Sequence, residues 1–307
     1  MKADGFRRLE LTVRRRVNGT AYGELDGHRL GPGSEPEELA VYQPGHDVRR
    51  IDWNVTARTG QAHVWLTRAQ HELETWLLLD RSPSMAFGTT TAEKLDLAES
   101  LAGAFGLITS APGNRTGVGL IQDEGVRWFR PRPGQAAART ISQAPPASRE
   151  PATAASLAEA LRALEKRARR GGLCVILTDL VEPDGTFERP FDWEEPLRKL
   201  SARHDVIVAE LVDPRELALP DLGNVIFLDP ESGRQRDVPT SSRKLRRDYA
   251  DAAARHREQT ALAVRACRAD HLRISTDSDW PAAVARLIFR RQRTPSRRTT
   301  RRTGSTR

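Results

Sequence analysis

Only two cysteines, two methionines and three tyrosines occur in 307 residues. Cys174 and Cys267 form no CxxC pair and no zinc-ligand spacing, so they read as buried or incidental thiols of a reducing compartment. No apolar run approaches the roughly 18 residues that a membrane span needs. The N-terminus, "MKADGFRRLELTVRRRVNG", is charged throughout and has no apolar core region, so it does not read as a secretory signal. A cytoplasmic protein is expected. No GxxxxGK[ST] loop is present, which argues against ATP hydrolysis by this chain. There is also no GxSxG elbow and no Cys–His pairing that spacing would recommend.

Acidic residues are missing from the C-terminal end, where basic ones gather. Residues 290–307 carry eight Arg and no acid. Setting those eight aside from the 49 basic residues leaves 41 against 41 acidic ones, so the body is neutral despite a net charge of +8. The tail, 291–307, is rich in Ser, Thr and Arg and is expected to be disordered and solvated. Contact of that tail with nucleic acid or anionic lipid is the less favoured reading.

What is present divides the chain in three. Residues 1–73 contain short β-like pieces punctuated by glycine, and Trp53, Val55, Val64 and Leu66 alternate in part with polar residues. A small β-rich region is expected there. From Glu74 to Arg290 apolar strands alternate with amphipathic helices. "ETWLLLD", "LCVILTD" and "DVIVAELVD" are strands, and Leu95, Ala98, Leu101, Ala102 and Phe105 recur at helical spacing. Strands separated by helices imply right-handed crossovers and a doubly wound, mostly parallel sheet. Ligands of such sheets bind at the carboxyl ends of strands.

Asp80 and Asp179 stand at two of those ends. With the hydroxyls of Ser82 and Ser84 they form a set of hard oxygen ligands suited to Mg²⁺. Before the sheet, Arg49, Arg50, Asp52, Trp53 and Arg58 read as a structural junction or an interaction edge, with an Arg50–Asp52 ion pair and Trp53 packed against the α/β part.

Asp80-x-Ser82-x-Ser84 resembles the first loop of the metal-ion-dependent adhesion site of von Willebrand factor A domains. "YQPGHDVRRIDWNVTARTG" followed by "LLLDRSPSMAFG" is similar to the bacterial domain of unknown function 58 family, whose α/β part is von Willebrand factor A-like. The resemblance runs from about Glu35 to Leu180 and more weakly to Arg290. It implies a partner role beside a MoxR-type AAA+ ATPase, in chaperone-like maturation of protein complexes. It also implies a threonine ligand from a second loop. In "REPATAASLAEAL" that position falls on Ala155, with Thr153 two residues earlier. Ser156 and Glu159 form a capping box at the helix start.

Two functions follow. The first is a non-enzymatic protein-interaction module with an Mg²⁺ site at Asp80, Ser82, Ser84, Asp179 and Thr153. The second is a metal-assisted phosphohydrolase or nuclease using Asp80 and Asp179. Metal-assisted hydrolysis normally needs more than two carboxylates, and the seven histidines do not cluster near either strand end in sequence.

Overall fold

A computed structural model of the chain describes residues 36–44, 46–67, 73–89, 92–111, 113–122, 125–144, 155–181, 186–228 and 233–293. These residues form two compact units, divided between positions 72 and 73. In the smaller, β1 (Pro36–Val41) pairs antiparallel with β2 (His63–Thr67). Between them lies α1 (Trp53–Thr59).

That helix corrects the expectation of a strand-like stretch around Trp53 and Val55. Asp52 decides the matter. Its Oδ1 accepts from the N–H groups of Asn54 at 2.9 Å and Val55 at 3.0 Å, which is N-capping. Gly60 ends the helix at φ 72°, in the left-handed region that glycine adopts freely. Seven residues make two turns, too few for helical periodicity to stand out from alternation. Of the region expected to be β-rich, residues 1–35 lie outside the described residues, and among the described ones β1 and β2 are the strands.

The larger unit runs through β3 (Glu74–Asp80), α2 (Lys94–Ile108), β4 (Arg115–Gln122), β5 (Gly125–Arg132), α3 (Gly134–Ser142), α4 (Leu157–Arg167) and β6 (Leu173–Thr178). It continues with α5 (Glu194–Arg203), β7 (Asp205–Val212), α6 (Pro214–Leu217), β8 (Asn224–Leu228), β9 (Gln235–Pro239), α7 (Arg243–Ala266), β10 (Asp270–Ser275) and α8 (Trp280–Arg293). Six strands form one sheet in the order β10-β7-β6-β3-β4-β5. All neighbours are parallel except β4 and β5. The fold is a mixed α/β, doubly wound, mostly parallel sheet.

The apolar runs of the sequence are explained by burial on both faces. Leu77, Leu79, Val175, Leu177 and Ile207 face one core with Leu101 and Phe105 of α2 and Leu287 of α8. Trp76, Leu78, Ile176 and Val208 face the other with Leu161 of α4, Leu197 of α5 and Val264 of α7. Cys174 and Cys267 are buried and unbridged. Helices α2 and α3 meet where neither has a side chain. A Cβ on Gly134 would stand 2.0 Å from the Gly106 carbonyl oxygen.

Strand β8, "NVIFL", pairs with β9 in a separate hairpin and not with the main sheet. One boundary differs from expectation. Helix α8 runs through Arg293, past the expected start of the tail at 291. Burial of Leu287 and Ile288 carries it on, and Arg291 reaches Asp270 at 3.3 Å and Asp205 at 3.8 Å. The rest of the expected tail, 294–307, lies outside the described residues.

The strand order positions the site. From β3 the chain crosses to β4 on one side; β6 then enters on the other side of β3. The carboxyl ends of β3 and β6 thus flank the switch point, where α/β sheets open a crevice.

Candidate functional site

Strand β3 is apolar from Trp76 to Leu79, and Asp80, 8% exposed, ends it at the carboxyl edge of the sheet. Its Oδ1 accepts from the Ser82 N–H at 2.9 Å, and its Oδ2 from the Thr178 hydroxyl at 2.7 Å. Pro83–Met85 form a single 3₁₀ turn, anchored by the fully buried Met85. That turn brings the Ser82 and Ser84 hydroxyls to 3.0 Å of one another.

Asp179 follows β6. Its Oδ1 accepts from the Val181 N–H at 3.1 Å, closing a tight turn. Leu180 within that turn holds φ 56°, a left-handed conformation uncommon for a branched side chain. Such local strain persists where surrounding contacts impose it, and it clusters at ligand sites.

The sequence reading missed Lys94, the first residue of α2. It is fully buried, and its ammonium donates to Asp179 Oδ2 at 2.7 Å and to Glu216 Oε1 at 2.5 Å. Glu216 is fixed in turn, because its Oε2 accepts from the Asp213 N–H at 3.0 Å in a capping box of α6. Asp213 was also missed. It ends β7 as Asp179 ends β6, and it accepts from the Thr89 N–H at 2.9 Å and from the Thr276 hydroxyl at 2.9 Å. Asp213 therefore pins the β3–α2 loop and the end of β10 to one point.

These contacts set the charge states. Burial, with the charge of Asp179 beside it, pushes the Asp80 carboxyl above the usual carboxylate range. Burial opposes ionisation of Asp179 too, but the Lys94 ammonium outweighs it and holds that carboxyl below its ordinary value. Burial likewise disfavours the charged Lys94, and Asp179 and Glu216 together reverse this.

A second buried cluster lies behind the first. Glu210 of β7, fully buried, accepts from Arg257 at 3.0 Å, His271 at 2.7 Å and Arg273 at 2.7 Å. Arg257 also donates to the Asp179 carbonyl oxygen at 2.8 Å. Helix α7 is tied by this one guanidinium to the turn that carries Asp179.

Of the residues singled out in the sequence, the fold brings Asp80, Ser82, Ser84 and Asp179 to the carboxyl ends of the adjacent strands β3 and β6, where the two carboxylates sense one another's charge. Thr153 lies outside the described residues. Ala155 is described, and its N–H donates to the Gln122 carbonyl oxygen at 3.3 Å. Ser156 caps α4 reciprocally with Glu159, at 3.2 Å in both directions. Arg49, Arg50, Asp52, Trp53 and Arg58 all belong to the smaller unit. Arg49 and Arg50 lie in a 3₁₀ turn capped by Asp47, Arg58 in the last turn of α1, and Trp53, 69% exposed, at that helix's start. Asp52, besides capping α1, accepts from the Trp65 indole at 2.9 Å.

The crevice offers carboxylate and hydroxyl oxygens, the donor set of a hard divalent cation. Among the described residues no group of three or more His, Cys, Asp or Glu side chains is arranged to hold a metal. A cation here would depend on the two serine hydroxyls. Asp80 fits the need, being buried beside a second carboxylate, with no basic side chain bonded to it among the described residues. Among the described residues no helix is long and apolar enough to cross a membrane.

The chain is similar to several known proteins. It is 42% identical over 296 residues to an uncharacterized protein of Mycobacterium bovis, covering 95% of this chain and 90% of the relative. The same figures hold for an uncharacterized protein of Mycobacterium tuberculosis. Among solved structures, an aerotolerance-related membrane protein from Bacteroides fragilis aligns with TM-score 0.43 and 13% identity, over 71% of this chain and 99% of that one. The SpRpn10 VWA domain aligns with TM-score 0.36 and 12% identity, over 69% and 94%. The family model described as "Protein of unknown function DUF58" matches residues 38–259, and the chain belongs to that family.

Proposed function

We propose that this protein is a non-enzymatic protein-interaction module whose docking face is the carboxyl end of the sheet. The observation that carries this reading is the convergence of Asp80, Ser82 and Ser84 at the switch point, with Asp179 across the crevice. Asp80, Ser82 and Ser84 would hold Mg²⁺, with Asp179 beside them. Bound there, the ion would supply an electrophilic bridge to an acidic side chain of the partner. The chain's own residues do the rest. The 3₁₀ turn orients the hydroxyls, and the ties from Asp213 and Lys94 keep the loop from collapsing over them.

The partner we propose is a MoxR-type AAA+ ATPase, and the setting is chaperone-like maturation of protein complexes in the cytoplasm. Family membership and the resemblance of the first loop to an adhesion site support this. The test is a pull-down of the purified ATPase with and without Mg²⁺. Capture should need Mg²⁺ and be lost in Asp80→Ala. Equal capture by wild type and Asp80→Ala would remove the site from the interaction. Phosphatase or nuclease turnover lost in Asp179→Asn would replace this reading with an enzymatic one.

A further inference from the structure

The crevice already holds a cation of its own. Lys94 is fully buried, yet its ammonium lies 2.7 Å from the carboxylate that a divalent ion would also attract. We propose that Lys94 is a tethered competitor for Asp179, which keeps the divalent affinity of the site low and couples ion binding to helix α2. This inference rests on the reading of Asp80, Ser82 and Ser84 as ion ligands.

Three observations carry it. First, the lysine has two acceptors, not one. Glu216 stands 2.5 Å away, and its other oxygen is fixed by the Asp213 N–H. An ammonium released from Asp179 therefore keeps a partner without entering water. Second, Lys94 begins α2, and the loop before it carries the ligands Ser82 and Ser84 and is pinned at Thr89 by Asp213. A shift of Lys94 from Asp179 towards Glu216 would act on that same loop. Third, the cations near the pair are unevenly shared. Asp179 receives Lys94 at its side chain and Arg257 at its carbonyl, while Asp80 accepts from a serine N–H and a threonine hydroxyl. A divalent ion at Asp80 would meet the charge of Lys94 across Asp179, and like charges in a buried site repel strongly.

The experiment is a calorimetric titration with Mn²⁺ and with Mg²⁺ of the full-length wild type, Lys94→Gln and Glu216→Gln. Thermal melts with and without each ion run alongside. Removing the competitor should tighten binding in Lys94→Gln by about tenfold or more, the scale of one charge interaction in a buried site. Removing the alternative acceptor commits Lys94 to Asp179, so Glu216→Gln should bind more weakly than wild type. The second variant keeps the buried ion pair, so the inference stays testable if Lys94→Gln does not fold. Equal or weaker binding by Lys94→Gln, or unchanged binding by Glu216→Gln, overturns the competitor while leaving the ion site standing. No binding by wild type or either variant overturns the ion site itself, and the competitor with it.

Discussion

Two buried carboxylates of this domain, on strands separated by β6, live under opposite conditions. Glu210 on β7 is surrounded by Arg257, His271 and Arg273, and the basic groups outweigh its burial, so its carboxyl sits below the ordinary range. Asp80 on β3 has, among the described residues, no basic side chain bonded to it, and burial beside Asp179 pushes its carboxyl up. The first arrangement is closed, with every oxygen committed to a cation. The second accepts only from a backbone N–H and a hydroxyl, and the nearby Lys94 ammonium is spent on Asp179. Buried acids that serve the fold are paired, because an unpaired one costs stability. An unpaired acid at a strand end is the mark of a site that stability alone does not explain.

Removing the central acid should break the closed cluster hardest. Glu210→Gln strands the buried guanidinium of Arg257 and should cost about 3–5 kcal/mol in urea unfolding. A loss under about 1 kcal/mol would show that the cluster does not hold α7 to the sheet. Next comes the mirror experiment. Asp80→Asn removes a repelled charge and keeps an acceptor for Ser82, so without divalent ions it should stabilise the domain by about 1 kcal/mol at neutral pH. A destabilised Asp80→Asn would mean that Asp80 is paired after all.

The pH dependence should separate the two acids by sign. The folded pKa of Glu210 is depressed below its ordinary 4.5, so its stabilisation is fully present above that value and is lost as pH falls through the folded one. The folded pKa of Asp80 is raised above 3.8, so its contribution is full below 3.8 and is lost as pH rises through the folded value. The stability gap between wild type and Glu210→Gln should narrow on acidification. The gap between Asp80→Asn and wild type should also close, but from the opposite direction, with the variant the more stable at neutral pH. Parallel gaps of one sign would dissolve the distinction.

The smallest effect concerns His256 of α7, where burial holds the imidazole below its ordinary 6.5 against the Phe187 carbonyl. A neutral histidine of this kind supports the fold above pH 6.5 and withdraws that support as pH falls towards its depressed value. His256→Phe should flatten the acid limb of a stability profile between pH 7 and 5 by a few tenths of a kcal/mol. An unchanged limb would show that this histidine takes up its proton alike in the folded and unfolded chain.

Much of the sheet was legible because burial on both faces writes continuous apolar runs. Asp80 and Asp179 were legible because each ends such a run abruptly. Lys94 was not, since a lysine at the start of an amphipathic helix reads as solvated, and only the fold sets it against two carboxylates. Glu210 was hidden inside "VIVAELV", where one acid in an apolar strand gives no hint of cations arriving from α7 and β10. Asp213 carried a readable signal, an acid at a third strand end followed by proline and a capping glutamate. The hairpin strand β9, "QRDVP", lacks the alternation that marks a strand, and its exposure explains why.

The central claim is that Asp80, Ser82 and Ser84 form a divalent-ion site at the switch point. Calorimetric titration of the wild-type chain and of Asp80→Ala with Mn²⁺ tests it most directly. The account predicts one saturable binding event in the wild type, absent from Asp80→Ala. The same heat in both proteins, or no heat in the wild type, would contradict it.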